Sequence, residues 1–128
     1  MSVDKNMPIL VVDDFKMMRR VVKNLLSQIG FSNLDEAADG EEALKKIQSK
    51  QYHLVISDWN MEPMTGIELL EKVRQSEATK NLDFIMLTAE VKPENIIKAK
   101  QLGVNSYIVK PFTAKILKDK LVSLWGPF

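Results

Sequence analysis

An α/β fold, built on an open parallel sheet with helices on both faces, is predicted by three features of this chain. Its 128 residues alternate between strand-like and helix-like patterns, with no linker, repeat or low-complexity tract. Four of the apolar runs are continuous: Ile9 to Val12, Leu54 to Ser57, Phe84 to Leu87 and Tyr107 to Val109. Continuous runs of that length suit strands buried on both faces of a parallel sheet. Five strand-then-helix units succeed one another at roughly 25 residues each, which leaves room only for short loops and right-handed crossovers. Five units are too few for an eight-fold barrel.

Each element has a local reason. After the first run, Met18, Val22, Leu25 and Ile29 recur at helical spacing, and Gly30 supplies the C-terminal cap. Residues 33–38 form the weakest strand, since Leu34, Ala37 and Ala38 are their only apolar members. Asp39 with Glu42 is a capping pair that opens a helix through Ala43, Leu44 and Ile47. Thr65 with Glu68 repeats that signature before Ile67, Leu70 and Val73. Pro93 suits the first turn of a helix that carries Ile96, Ile97 and Leu102 and stops at Gly103. Pro111 keeps Lys110 extended, and Ile116, Leu117, Leu121 and Leu124 mark a closing helix.

Composition excludes several classes of function. Hydrophobic residues make up 45% and charged residues 27%, ordinary values for a soluble globular domain spanning 1–128. A net charge of +1 leaves no electrostatic footprint for nucleic acid. Zero cysteines remove disulfides, thiolate metal sites and cysteine nucleophiles. The polar start lacks the apolar core of a signal peptide, and no window approaches the ~18 apolar residues of a membrane span. A cytoplasmic protein, not bound to membrane, is expected.

The polar residues that end the four runs carry the chemistry. Asp13 and Asp14 follow the first, Asp58 the second, Thr88 the third and Lys110 the fourth. Ligands of open parallel sheets sit beyond the carboxyl ends of the strands, so side-by-side runs would bring these five groups to one edge. Crowded carboxylates repel one another, and a divalent cation removes that penalty. An oxygen-only set, with the lone His53 at the far end of its strand, suits Mg²⁺ rather than zinc. Taken singly, the Asp pair reads as a solvated loop, Thr88 as a helix N-cap and Lys110 as a surface lysine with a buried stem. Their shared placement favours phosphoryl transfer to a carboxylate. Asp58 stands alone and is the acceptor candidate, Asp13 and Asp14 are the metal pair, and Thr88 and Lys110 meet the phosphoryl oxygens.

Asp13-Asp14, Ser57-Asp58-Trp59-Asn60-Met61, Thr88-Ala89-Glu90 and Tyr107 to Lys110-Pro111-Phe112, in that order, closely resemble the receiver domains of bacterial two-component response regulators. Asp58-Trp59-Asn60-Met61, Phe15 and Arg19-Arg20 resemble the single-domain chemotaxis members. The resemblance implies a flavodoxin-like fold with strand order 2-1-3-4-5. It implies that Asp58 takes a phosphoryl group from a phosphohistidine of a sensor histidine kinase, here the chemotaxis kinase. Mg²⁺ would lie among Asp13, Asp14, Asp58 and the Asn60 backbone carbonyl. Thr88 and Tyr107 would switch conformation, Tyr107 turning inward, while Asn60 and Glu90 would tune dephosphorylation. Because the chain ends at Phe128 without an output domain, it implies a monomer acting by binding. The expected partner is a flagellar motor switch protein, with a phosphatase as a further partner. No enzymatic turnover is implied beyond self-catalysed phosphoryl transfer and autodephosphorylation. One stretch departs from the pattern: Met61-Glu62-Pro63-Met64-Thr65-Gly66 sets proline one residue late and Thr where Asp or Asn is usual.

Four other readings compete. A receiver that only drains phosphoryl groups from a shared kinase would look the same in sequence. An aspartate-nucleophile phosphatase resembles an Asp-x-Asp arrangement on the first strand with a cap domain, and neither is present here. A flavin carrier needs a Ser/Thr/Gly-rich phosphate loop where Asp13-Asp14 stands. An unphosphorylated interaction module would not need the full set of groups. Lys16, Arg19, Arg20 and Lys23 read as a solvated face of the first helix, and Trp59 as a residue at the rim of the metal site.

Overall fold

The computed structural model describes residues 3–89 and 92–128. Strands β1 (Ile9–Val12), β2 (Leu34–Ala37), β3 (Leu54–Asp58), β4 (Asp83–Thr88) and β5 (Ser106–Val109) alternate with five helices. These are α1 (Lys16–Ile29), α2 (Gly40–Ser49), α3 (Gly66–Gln75), α4 (Pro93–Gln101) and α5 (Ala114–Trp125). The strands form one parallel sheet in the order β2-β1-β3-β4-β5, as the family resemblance implies.

Continuity of the apolar runs is explained by burial on two sides. Along β1, Ile9 and Val11 enter one core with Val22 and Leu26 of α1 and Leu117 and Leu121 of α5. Leu10 and Val12 point the opposite way, to a second core with Ala43 and Ile47 of α2 and Leu69, Leu70 and Val73 of α3. β3 divides in the same manner, Leu54 and Ile56 to the first core and Val55 to the second. A slip of one residue would exchange the two cores, so register is strongly specified.

The weak strand forms because its polar side chains have partners. β2 is an edge strand. Its Asp35 carboxylate accepts from Lys50 Nζ at 2.8 Å and from the Tyr52 hydroxyl at 2.7 Å. Its Glu36 carboxylate accepts from Arg19 Nε and Lys23 Nζ, each at 2.7 Å. Half of the basic cluster on α1 is therefore not simply solvated: Arg19 and Lys23 tether the helix to the sheet edge.

Helix ends follow their local signals closely. Gly30 caps α1 at φ 117°, a left-handed conformation that glycine adopts without steric cost. Thr65 and Glu68 form a complete capping box on α3. On α2, Asp39 accepts from the Glu42 amide, while the Glu42 carboxylate reaches the amide of Ala38 rather than that of Asp39. α4 ends before Gly103, also in a left-handed conformation at φ 91°. Arg74 of α3 staples that turn, donating to the Gly103 carbonyl at 3.0 Å and to Asn105 Oδ1 at 2.9 Å. Asn105 Oδ1 also accepts from the Phe84 amide at 2.7 Å, so one guanidinium links α3, the start of β4 and the turn before β5.

Gly66 is needed for a different reason, close approach. A Cβ there would strike the Asp58 carbonyl oxygen and the Met86 sulfur. Gly66→Ala is therefore expected to lower unfolding free energy by about 1–3 kcal/mol, read from urea denaturation, with α3 displaced from the end of β3. A second expectation concerns acid. Hydrogen bonds from Arg19 and then Lys23 hold the Glu36 carboxyl at about 2, against an ordinary 4.5. A depressed folded-state value contributes stability that is complete above pH 4.5 and is lost as pH falls toward 2. Glu36→Gln should flatten that part of the stability–pH profile; an unchanged slope would mean the pairs do not form in solution.

Candidate functional site

Strand register builds the site. Val12 pairs with Ser57, so the next residues stand side by side: Asp13 just past the end of β1 and Asp58 as the last residue of β3. Thr88 pairs with Val109, so Lys110 follows directly beyond β5. The Lys110 amide donates to the Thr88 carbonyl at 2.8 Å, tying the last two strand ends together.

Lys110 reaches across the sheet end to both carboxylates. Its Nζ lies 2.9 Å from Asp58 Oδ1 and 3.2 Å from Asp13 Oδ2. Asp13 and Asp58 are buried, and Asp14 is exposed at the rim. Asp13 is held at every polar group. Its amide donates to Ala37 O at 3.2 Å, and its Oδ1 accepts from the Phe15 amide at 2.9 Å. Burial raises the Asp13 carboxyl above the ordinary value, and the charge of Asp58 adds to this against the opposing Phe15 and Lys110 contacts. Burial draws the Lys110 ammonium down, but hydrogen bonding and charge from Asp58, then Asp13, outweigh it and leave the value raised. Lys110 is therefore a fixed cation at neutral pH.

Among the described residues, Asp13, Asp14 and Asp58 offer carboxylate oxygens that all lie within 4.8 Å of one another. Three carboxylates against one ammonium leave two formal negative charges uncompensated. Hard oxygen donors with that excess charge fit a hard divalent cation, and no softer ligand joins them in the described part of the chain.

The other predicted residues fall into place around this cluster. Thr88 is buried at the end of β4. Asn60 is exposed, two residues beyond Asp58. Tyr107 is half-buried on β5, packed against the second core, with Lys120 Nζ 5.1 Å from its ring centroid. Trp59 is half-buried against the same core. Glu90 lies outside the described residues. His53 sits at the opposite end of β3, its ring 5.5 Å from that of Trp125.

The departing loop after Asp58 has a defined shape. Met61 is buried, and the Gly66 amide donates to Trp59 O at 2.9 Å, closing the loop at its base. Thr65 takes the N-cap of α3, so Asp or Asn is not required there. The Glu62–Pro63 peptide is cis, with both residues exposed. What sequence reasoning missed is Arg19, whose Nη1 donates to the Asp13 carbonyl at 2.8 Å. Spacing carries no signal for that contact, because it is set by where β2 places Glu36.

A family model described as the response regulator receiver domain matches residues 9–122. The chemotaxis protein CheY-3 of Vibrio cholerae is 55% identical over 118 residues, covering 92% of this chain and 91% of that protein. The chemotaxis protein CheY of Pseudomonas aeruginosa is 51% identical over 119 residues, covering 93% of this chain and 96% of that one. Among solved structures, the chemotaxis protein CheY4 of Vibrio cholerae superposes with a TM-score of 0.86 at 36% identity, over 92% of this chain and 98% of its own. With a doubly wound sheet in this order and an acidic cluster at its carboxyl edge, the chain belongs to the response regulator receiver domain family, on its chemotaxis side.

Proposed function

We propose that the protein is a phosphorylation-activated chemotaxis regulator. Asp58 accepts a phosphoryl group from a phosphohistidine of a sensor histidine kinase in a Mg²⁺-dependent reaction. The phosphorylated protein then signals by binding a flagellar motor switch protein. The single observation that carries this reading is the Lys110 ammonium held between Asp58 and Asp13 beside Asp14.

Asp58 is the nucleophile because it is a buried strand-end carboxylate with an ammonium on one oxygen. A new bond forms from its oxygen to phosphorus as the phosphorus–nitrogen bond of the donor breaks, the electron pair returning to the imidazole. Asp13, Asp14, Asp58 and the Asn60 backbone carbonyl are the residues that would hold Mg²⁺. Bound there, the ion supplies neutralisation of charge on the phosphoryl oxygens. Lys110 supplies the same from the protein, at no reorganisation cost, since it is already in place. The Thr88 hydroxyl donates to a phosphoryl oxygen once one is present. Tyr107, on the strand that leads into Lys110, is the residue expected to reorient. Asn60 and Glu90 are the positions expected to set the rate of hydrolysis. The chemistry is performed by the protein on itself, without turnover of a separate substrate.

A binding output is supported by exposed apolar side chains on the elements beside Lys110. Ile97 of α4 is 56% exposed, Val109 of β5 38% and Ile116 of α5 43%.

Two experiments test the chemistry. Incubated with Mg²⁺ and a small acyl phosphate, the wild type should gain one phosphoryl mass, and Asp58→Asn should gain none. Labelling that persists in the variant would move the acceptor elsewhere. Lys110→Met should separate two roles of the ammonium. Loss of its charge should tighten Mg²⁺ binding, while phosphorylation slows roughly 100-fold. Slower phosphorylation with weaker metal binding would instead mean that Lys110 only maintains the shape of the site.

A further inference from the structure

Beside Lys110, a second cation lies against the backbone of the cluster. Arg19 lies one turn into α1, and its side chain is 13% exposed. Its guanidinium does not touch a carboxylate of the cluster. Nη1 donates to the backbone carbonyl of Asp13 at 2.8 Å, and Nε donates to Glu36 Oε1 at 2.7 Å. Lys23 Nζ takes the other Glu36 oxygen at 2.7 Å, so Glu36 itself is clamped from two sides.

The Asp13 carbonyl belongs to the planar peptide unit that joins Asp13 to Asp14. Both carboxylates project from the ends of that unit, so its tilt sets where each points. The Asp13 amide is bound to Ala37 O of β2, and its carboxylate to the Phe15 amide at the N-cap of α1 and to Lys110. The bond from Arg19 is the contact that holds the carbonyl. By Coulomb's law alone a guanidinium this close should weaken cation binding. Glu36 offsets that charge and, at the same time, fixes the planar fork in the orientation that meets the carbonyl.

We infer that Arg19, oriented by Glu36, is a positioning residue for the metal site, locking the Asp13–Asp14 peptide so that both carboxylates face one cation. The inference rests on the reading that Asp13, Asp14 and Asp58 hold Mg²⁺. Contacts beyond the ligands of a metal typically change its affinity by roughly 10–100-fold.

Calorimetric titration of the full chain with Mg²⁺, beside thermal unfolding without metal, tests it. Arg19→Ala should weaken Mg²⁺ binding roughly tenfold or more, although it removes a positive charge. Arg19→Lys keeps the charge but cannot span the carbonyl and carboxylate together, and should weaken binding in the same direction. Should Arg19→Ala unfold, Arg19→Lys decides. Unchanged or tighter binding by either folded variant overturns the inference, as does a lowered unfolding temperature with an unaltered Mg²⁺ Kd. A wild-type chain that binds no Mg²⁺ overturns the metal reading itself, and the positioning role with it.

Discussion

Everything at the carboxyl edge of this sheet depends on one electrostatic constraint, the Lys110 ammonium between the Asp13 and Asp58 carboxylates. Two like charges at that separation cost about 3 kcal/mol even with substantial screening. Domains of this size are stable by only about 5–15 kcal/mol, so the pair requires a counter-charge. Lys110 provides it from the far strand, 52 residues along the chain from Asp58. The Lys110 backbone is tied to Thr88, and its ammonium is held by the two carboxylates. The site therefore inherits its geometry from strand register, and the register is set by the two apolar cores. Moving β5 by one residue would exchange the sheet faces of Tyr107 and Ile108 and withdraw Lys110 from the carboxylates.

How much of this was legible in the sequence differs by element. β1, β3 and β4 were plain because burial on both faces demands continuous apolar runs, whereas the run from Tyr107 to Val109 falls on the edge strand β5 and leaves Val109 exposed. Their terminal residues were legible for a related reason: a polar group directly after such a run has to lie at the sheet edge. β2 was obscure because half of it is acidic. Its stability comes from Arg19 and Lys23 of α1 and from Lys50 and Tyr52 in the connection between α2 and β3. Contacts of that kind follow from tertiary placement and leave no local periodicity. The same holds for Arg74, which looks like an ordinary helix cation and proves to staple two turns. Thr65 is the opposite case, where a capping signature explains why the loop after Asp58 tolerates an unusual sequence.

That loop also shows how closely fold and site are joined. Gly66 lies against the Asp58 carbonyl, so the helix that closes the second core begins in contact with the acceptor segment. Buried Met61 anchors one side of the loop, and the Gly66–Trp59 bond closes the other. Variation at Glu62 and Pro63 is thus confined to an exposed tip. The carboxylate stays where β3 leaves it, whatever the tip presents to a partner.

On the proposed reading, the same constraint becomes the switch. A phosphoryl group on Asp58 carries close to two negative charges, where Lys110 now balances one oxygen of each of two carboxylates. On that reading, movement of the ammonium toward that charge would be felt by the backbone that carries it. That backbone is joined to Thr88 on one side and leads into Tyr107 on the other. Converting a mostly inactive population to a mostly active one takes about 5.5 kcal/mol of differential stabilisation. Charge-assisted bonds to a buried site are strong enough to supply it. The exposed faces of α4, β5 and α5 adjoin the strand end that moves, whereas the edge at β2, clamped by Glu36, does not.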